Sequence, residues 1–223
     1  MPAWNEEEGV VETIRSVPLQ KLKNAGYDVE ILVVDGGSTD NTVMLAKKAG
    51  ARVISSDRGY GKQCKVGLQM GNGDIIVTGD SDGTYPFEHI VTYVRHLEEN
   101  SVDFITINRM TQMDSGAMPF SNKIGNVVLT FFTNLLFGLR LKDSQSGMWI
   151  LRRTVLEKLN LKSHGFPFCQ EFKIEAFRKV RSIELSGSYK KRLGKSKLRK
   201  SRDGIGNLYA LCKKRLEMTI MGE

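Results

Sequence analysis

The sequence predicts an α/β protein with a mostly parallel sheet flanked by helices. Short β-branched runs alternate with segments of helical periodicity in the first half of the chain, a pattern typical of strands joined by crossover helices. Acidic residues follow two of these strands, and ligands of such sheets bind beyond the carboxyl ends of the strands. The 223 residues can bury one sizeable core, so we expect a single domain over residues 1–223.

The first unit is the run "VEILVVD", the turn "GGSTDNT" and the helix "VMLAKKAG". β-branched residues predict the strand, small polar residues the turn, and helical spacing with a terminal glycine the helix. The following segments continue the alternation as strand "ARVISS", helix "GKQCKVGLQMG", strand "DIIVTG", helix "FEHIVTYVRHLEEN" and strand "VDFITIN".

The second half opens with a long apolar helix, "NKIGNVVLTFFTNLLFGL". Its most apolar part, Val127 to Leu139, is too short and too often interrupted by polar residues to cross a bilayer. Residues 120–140 are therefore predicted to lie in a membrane interface, and a packed core helix is the open alternative. A helix at "QEFKIEAFRKV" and a strand around "SIELSG" follow.

The charge of the chain points to an anionic partner. A net charge of +8 suits a polyanion, a phosphorylated substrate or an anionic membrane. The basic segment over residues 188–204 contains glycine and serine and is predicted to be a flexible loop that closes over an anion. It lacks interleaved aromatic residues apart from Tyr189, so no nucleic acid is expected.

The cysteines suggest a reducing compartment. Cys64, Cys169 and Cys212 are widely spaced and form no CxxC pair. Neither a disulfide framework nor a zinc site is indicated, and the cytosol fits best.

The stretch "GDIIVTGDSDGTYP" places Asp80 and Asp82 directly after a buried strand. Two carboxylates at i and i+2 repel each other unless a cation neutralises them. Hard divalent ions take such ligands and keep positions for substrate phosphates. The pair therefore predicts a Mg²⁺ or Mn²⁺ ion that holds a diphosphate, with a solvated acidic turn as the alternative.

Two further stretches suit a nucleotide ligand. Asp35 ends a strand and precedes Gly36 and Gly37, so its carboxylate could accept hydrogen bonds from a base or ribose. The glycine-broken loop "RGYGKQ" opens a helix, and a helix N-terminus with a lysine favours anions.

In their order along the chain, these and other stretches resemble glycosyltransferase family 2. The similarity is greatest to its polyprenol-phosphate branch, the dolichyl-phosphate mannose or glucose synthases. The stretches are "PAWNEEEGV", "VVDGGSTDNT", "GKQCKVGLQMGNGDIIVTGDSDGTYP", "NRM", "DSQSGMWILRRTVLEKL", "QEFKIEA" and "KKRLGKSKLRKSRDG". The resemblance implies a GT-A fold, a nucleotide-sugar donor and a divalent metal ion.

The resemblance also implies site residues. The donor would be bound by Pro2, Ala3, Asn5, Glu6, Asp35, Lys62, Asp80 and Ser81. The metal would be held by Asp80 and Asp82, and Arg109 would reach the diphosphate or the acceptor phosphate. The acceptor phosphate would be bound by Arg192, Lys195, Ser196 and Lys197.

The chain departs from the family pattern at three places. Met1 is followed at once by Pro2, so the first strand of the family is expected to be missing. Thr84 stands where many relatives carry a glutamine that helps to hold the metal. Trp149 replaces a common arginine, and we expect altered contacts with the acceptor or sugar there.

The resemblance predicts inverting transfer of a hexose from a GDP- or UDP-linked sugar to dolichyl or polyprenyl phosphate. The protein would act peripherally on the cytosolic face of a membrane. One alternative is transfer to a saccharide hydroxyl, for which Glu171 is the candidate base. The other is a non-catalytic basic protein that binds RNA or an anionic membrane.

Overall fold

The structure is a computed structural model that describes residues 1–197 and 200–220. Its strands are β1 (Pro2–Ala3), β2 (Leu32–Asp35), β3 (Arg52–Ser55), β4 (Ile75–Thr78), β5 (Phe104–Met113), β6 (Trp149–Arg152) and β7 (Ser182–Tyr189). Its helices are α1 (Val10–Ser16), α2 (Leu19–Asn24), α3 (Thr42–Lys48), α4 (Tyr60–Met70), α5 (Ile90–Glu99), α6 (Phe120–Phe137), α7 (Phe168–Lys179) and α8 (Lys200–Ile220).

The strands form two sheets within the described residues. One is parallel, in the order β1-β2-β3, and the other is mixed, in the order β4-β6-β5-β7. Strands β5 and β7 are parallel, whereas β6 runs antiparallel to both of its neighbours. The predicted α/β class is confirmed, but β6 was not predicted, because three apolar residues followed by an arginine are too short a run for periodicity to distinguish a strand from a helix.

A short first strand, β1, is present, although the first strand was expected to be missing. Pro2 pairs with Val34 and Ala3 pairs with Asp35 in β1 and β2. The amide of Val34 also donates to the carbonyl of Met1 at 2.9 Å. This pairing fixes the residues after Ala3 at the carboxyl edge of the parallel sheet.

Trp149 lies in the core. Its ring stacks on Phe172 with the centroids 4.5 Å apart, and its indole nitrogen donates to the carbonyl of Ser146 at 3.0 Å. None of its surface is exposed. The side chain therefore packs between the sheet and α7, and the expected change in acceptor or sugar contacts at this position stays a prediction.

Helices α6 and α8 pack together over α7. Leu129 and Phe137 of α6 meet Leu211 and Met218 of α8 in one apolar cluster, which also contains Ile174 of α7. Helix α6 is thus a packed helix on this side. In the described part of the chain, no helix is long and apolar enough to span a bilayer.

The basic loop is shorter than predicted. Helix α8 begins at Lys200, so residues 200–204 are helical rather than part of a loop over residues 188–204. Residues 198 and 199 lie outside the described part. The helix was missed because its basic start masks the apolar positions that pack on α7, and such packing supplies most helical stability.

Candidate functional site

A cavity of about 630 Å³ lies at the carboxyl end of β4. Its walls come from the acidic turn, β5, the loop before β6, the basic segment and the N-terminal halves of α6 and α8. Among the predicted site residues, Asp80, Asp82, Arg109, Arg192 and Ser196 line it. The fold therefore brings predicted metal-binding and acceptor-binding residues to one cavity.

The acidic turn is held tightly by its neighbours. One carboxylate oxygen of Asp82 accepts hydrogen bonds from the amide of Thr84 at 3.1 Å and from its hydroxyl at 2.6 Å. The hydroxyl of Ser81 donates to the carbonyl of Pro2 at 2.8 Å, which ties the turn to β1. Thr84 thus orients the carboxylate of Asp82.

Asp80 has the features of a cation ligand. Its Oδ1 atom is buried and has no hydrogen-bond partner among the described residues. Burial raises the pKa of Asp80 to about 7, and the neighbouring Asp82 carboxylate adds to the effect. A buried carboxylate oxygen without a donor is costly, and a divalent cation would satisfy it.

The cation would depend on its substrate for further ligands. Within the described residues, no three His, Cys, Asp or Glu side chains are grouped so that they could hold a metal ion. Two carboxylates plus donor phosphate oxygens form a common Mg²⁺ arrangement. Asp80 and Asp82 therefore fit a divalent ion that arrives with a diphosphate.

The basic segment contacts the same acids. The guanidinium of Arg192 bridges the carboxylates of Asp82 and Glu6. Lys197 donates to the carbonyl of Asn5 at 2.6 Å and lies 3.3 Å from Glu6. The predicted acceptor-binding residues are thus paired with predicted donor-binding residues, whereas Lys195 is exposed to solvent.

Arg109 is anchored by a buried ion pair with Asp143. Its Nε and Nη2 atoms donate to the two carboxylate oxygens at 2.8 and 2.9 Å. Although burial opposes it, the charge of Arg109 lowers the pKa of Asp143 far below its usual range. Asn126 of α6 donates to the same carboxylate at 2.8 Å, and the ammonium of Lys173 donates to the carbonyl of Asp143 at 2.6 Å.

The predicted nucleotide end is organised by the N-terminal residues and the turn after β2. Asp35 is buried, and its Oδ2 accepts from the amides of Gly37 and Ser38 at 3.0 Å. The side-chain oxygen of Asn5 accepts from the amide of Thr39 at 2.8 Å. Asp35 thus shapes the turn that a nucleotide would face.

Lys62 and Glu171 lie apart from the cavity. The ammonium of Lys62 pairs with Asp57 at 2.9 Å. The carboxylate of Glu171 accepts from the amides of Lys162 and Ser163 at 3.0 and 2.8 Å. It lines a second cavity of about 320 Å³ between α7 and α8.

Several residues of the site were not singled out from the sequence. Tyr85 accepts a hydrogen bond from the amide of Gly147 at 2.7 Å, and Tyr189 lies under the guanidinium of Arg109, 5.2 Å from the ring centroid. Asp143 opens the quoted stretch "DSQSGMW", so a signal was available there. Asn126 had none, because it looks like an ordinary polar residue in an apolar helix.

Comparisons with known proteins agree with this fold and site. Residues 1–160 match the family described as Glycosyl transferase family 2. The chain belongs to this family, and the resemblance seen in its motifs is confirmed.

Two curated relatives come from Haloferax volcanii. The low-salt glycan biosynthesis hexosyltransferase Agl6 is 33% identical over 211 residues, which cover 92% of this chain and 50% of that protein. The chain thus spans half the length of this relative. A dolichyl-phosphate hexose transferase is 27% identical over 199 residues, which cover 89% of this chain and 84% of that protein.

A solved structure has the same fold. Glucosyl-3-phosphoglycerate synthase from Mycobacterium tuberculosis, in complex with Mn²⁺, UDP-glucose and phosphoglyceric acid, superposes with a TM-score of 0.72 at 23% identity. The similarity covers 95% of this chain and 78% of that one. The expected GT-A fold is confirmed.

Proposed function

We propose that this chain transfers a hexose from a GDP- or UDP-linked sugar to dolichyl or another polyprenyl phosphate, in a reaction that needs Mg²⁺ or Mn²⁺. One observation carries the proposal. The half-buried Asp80 and the buried Asp82 line one cavity with Arg109 and Arg192. The carboxylates that would hold the metal ion of the donor and the guanidinium groups that would bind the acceptor phosphate therefore face the same cavity.

A phosphate acceptor suits this cavity better than a hydroxyl. A phosphate monoester is already anionic near neutral pH, with a second pKa of about 6, and it needs positioning more than deprotonation. An alcohol would need a base within hydrogen-bond reach. Glu171, the candidate base, lines the other cavity and binds backbone amides, so its position favours the phosphate acceptor.

The reaction would proceed in line, with inversion. An acceptor phosphate oxygen forms a bond to the anomeric carbon, the bond from that carbon to the diphosphate breaks, and its electron pair leaves with the diphosphate. A divalent cation on Asp80 and Asp82 would offset the negative charge of that leaving group. Arg109 and Arg192 would reduce the repulsion between acceptor phosphate and donor diphosphate.

The relatives support the acceptor and the metal. One of them is named a dolichyl-phosphate hexose transferase, and the structural neighbour was solved with Mn²⁺ and a UDP-sugar. We place the enzyme peripherally at the cytosolic face of a membrane, because its acceptor would be a membrane lipid.

The test is a transfer assay with purified protein. GDP- and UDP-hexoses are each supplied with Mn²⁺ and a polyprenyl phosphate, the matching polyprenol or no acceptor, and products are identified by mass spectrometry. We expect a glycosyl phosphate lipid only with the phosphate acceptor.

Asp82→Asn should lower turnover at least about 100-fold, whereas Asp74→Asn, which removes an exposed acid near the start of β4, should not. Transfer to the polyprenol alone, or normal turnover of Asp82→Asn, would contradict the proposal.

A further inference from the structure

Three amide side chains form a closed network beside the cavity. Nε2 of Gln170 donates to the backbone carbonyl of Asn207 at 2.6 Å. Nε2 of Gln145 donates to Oε1 of Gln170 at 3.1 Å, and Nδ2 of Asn207 donates to Oε1 of Gln145 at 3.4 Å. The network joins the loop before β6 to α7 and α8, and we call it the amide network.

The amide network fixes which way each amide group points. The nitrogen of Gln170 is used on a carbonyl, so its oxygen faces Gln145 and receives the nitrogen of that residue. The oxygen of Gln145 then receives the nitrogen of Asn207. An amide has a donor end and an acceptor end, and the acceptor end of Asn207 is the one that this chain of bonds leaves over.

Oδ1 of Asn207 has no hydrogen-bond partner in the part of the chain that the structure describes. The atom is buried, and only 5% of the surface of the residue is exposed. A buried acceptor without a donor is costly. Asn207 and the half-buried Gln145 both line the cavity that contains Asp80. A ligand in this cavity is therefore placed to supply the missing hydrogen bond.

The oxygens at this wall select the chemistry of the ligand. Asp203, one turn before Asn207 on α8, also lines the cavity and adds a carboxylate to the amide oxygens. A phosphate accepts hydrogen bonds and is negatively charged, so this wall does not suit it. A hydroxyl can donate its hydrogen to such oxygens. In the proposed reaction the hexose carries hydroxyls, whereas the hydrocarbon chain of the acceptor has none.

The groups that suit phosphates and a metal ion lie on other walls of the same cavity. Asp80 and Asp82 follow β4, Arg109 belongs to β5, and Arg192 belongs to the basic segment. The volume of about 630 Å³ is in the range of small-molecule sites. The cavity thus combines a charged part with an acceptor-rich wall at Asn207.

We propose that Asn207 is a specificity-determining residue that accepts a hydrogen bond from a hydroxyl of the donor hexose. Gln145 and Gln170 are positioning residues that hold its amide in the accepting orientation. A site built to hydrogen-bond a substrate hydroxyl rejects analogues that lack it. The inference rests on the proposed function for the nucleotide-sugar donor, but it does not depend on the acceptor.

Calorimetric titration with UDP-glucose and GDP-mannose, each with Mn²⁺, tests the contact, and UDP and GDP serve as sugar-free probes. Asn207→Leu removes the acceptor oxygen and nearly keeps the size of the side chain. It should weaken the binding of the hexose donor about tenfold and leave the affinity for the nucleoside diphosphate unchanged, which also shows that the variant is folded. Unchanged affinity for the hexose donor, or an equal loss with the sugar-free probe, would overturn the proposal.

Modified donors identify the hydroxyl. Each hydroxyl of the bound hexose is replaced in turn by hydrogen or by fluorine, and neither replacement can donate a hydrogen bond. At one position both replacements should weaken binding to the wild type about tenfold and leave binding to Asn207→Leu unchanged, as in a double-mutant cycle. If no position shows a loss that depends on Asn207, the direct contact is overturned.

A matched control makes the same change on another wall. Asn122 of α6 is half-buried and lines the cavity. Asn122→Leu should keep the wild-type sensitivity to the identified hydroxyl. Loss of that sensitivity in both variants would show a general effect of the cavity walls and would overturn the assignment to Asn207.

Transfer assays separate this inference from the proposed function, because the titrations contain no acceptor. Hexose binding that depends on Asn207, without transfer to a polyprenyl phosphate, would overturn the proposed acceptor alone. Transfer to a polyprenyl phosphate, with wild-type affinity of Asn207→Leu for the hexose donor, would overturn the role of Asn207 alone. Binding of neither sugar nucleotide would overturn both.

Discussion

The guanidinium of Arg192 contacts the carboxylate of Asp82, although 110 positions separate the two residues. The same guanidinium contacts Glu6. Its positive charge is thus held at the acids where we propose that a divalent cation binds. Arg192 and the divalent cation repel each other. Cation binding must therefore either displace the guanidinium of Arg192 or be weakened by its positive charge.

Arg192→Ala should therefore strengthen the binding of Mn²⁺ in the absence of nucleotide. We expect about a tenfold gain, because one nearby like charge disappears from a partly desolvated site. Calorimetric titration with manganese chloride measures the affinity. Lys190→Ala is the control. It removes a positive charge from the same basic segment, and the ammonium of Lys190 pairs with Glu88 at 2.5 Å. Weaker Mn²⁺ binding in Arg192→Ala would show that Arg192 helps to hold the ion.

Asp143→Ala should destabilise the protein by about 3–5 kcal/mol, because it leaves the buried charge of Arg109 without its partner. Chemical denaturation measures the loss. Adding Arg109→Met should recover part of it, since the unpaired charge is then removed. A double variant less stable than Asp143→Ala would contradict this interpretation.

Glu171→Gln should leave kcat essentially unchanged while it lowers stability by about 1–2 kcal/mol, since the carboxylate holds two amides of the loop before α7. A general base at this position would instead lower kcat about 10²- to 10⁴-fold when removed. Steady-state kinetics with the phosphate acceptor distinguishes the two results. Such a fall in kcat would contradict the proposal that the phosphate acceptor needs no base from the protein.

Lys173 should make stability depend on pH in the alkaline range. Burial lowers its pKa from 10.5 to about 8. Between these values the unfolded chain binds a proton that the folded chain does not, so the free energy of unfolding rises with pH. The difference between wild type and Lys173→Met should therefore increase in favour of wild type from about pH 8 to pH 10. A stability difference that stays constant or decreases from about pH 8 to pH 10 would contradict the lowered pKa of the buried Lys173.

Local patterns predicted the parts of the site that are local in sequence. Asp80 and Asp82 follow a β-branched strand, and Asp35 precedes two glycines, so their places at the strand ends could be predicted. The contact of Arg192 with Glu6 spans 186 positions, and that of Arg109 with Asp143 spans 34. No periodicity encodes such pairs, because they depend on how the sheets and helices pack.

The same limit applies to the elements that were missed. Strand β6 lies between β4 and β5, and its four residues are strand-like only because both neighbours supply hydrogen bonds. Helix α8 depends on Leu211 and Met218, which pack near Ile174. Trp149 was noted only as a departure from a motif, and its place in the core against Phe172 could not be predicted from that motif.

Anomalous diffraction from crystals soaked with Mn²⁺ and UDP or GDP tests the central claim most directly. The account predicts one manganese peak within coordination distance of Asp80 or Asp82 and in contact with the diphosphate, with Arg192 displaced from Asp82. A bound nucleoside diphosphate with no manganese near either aspartate would contradict it.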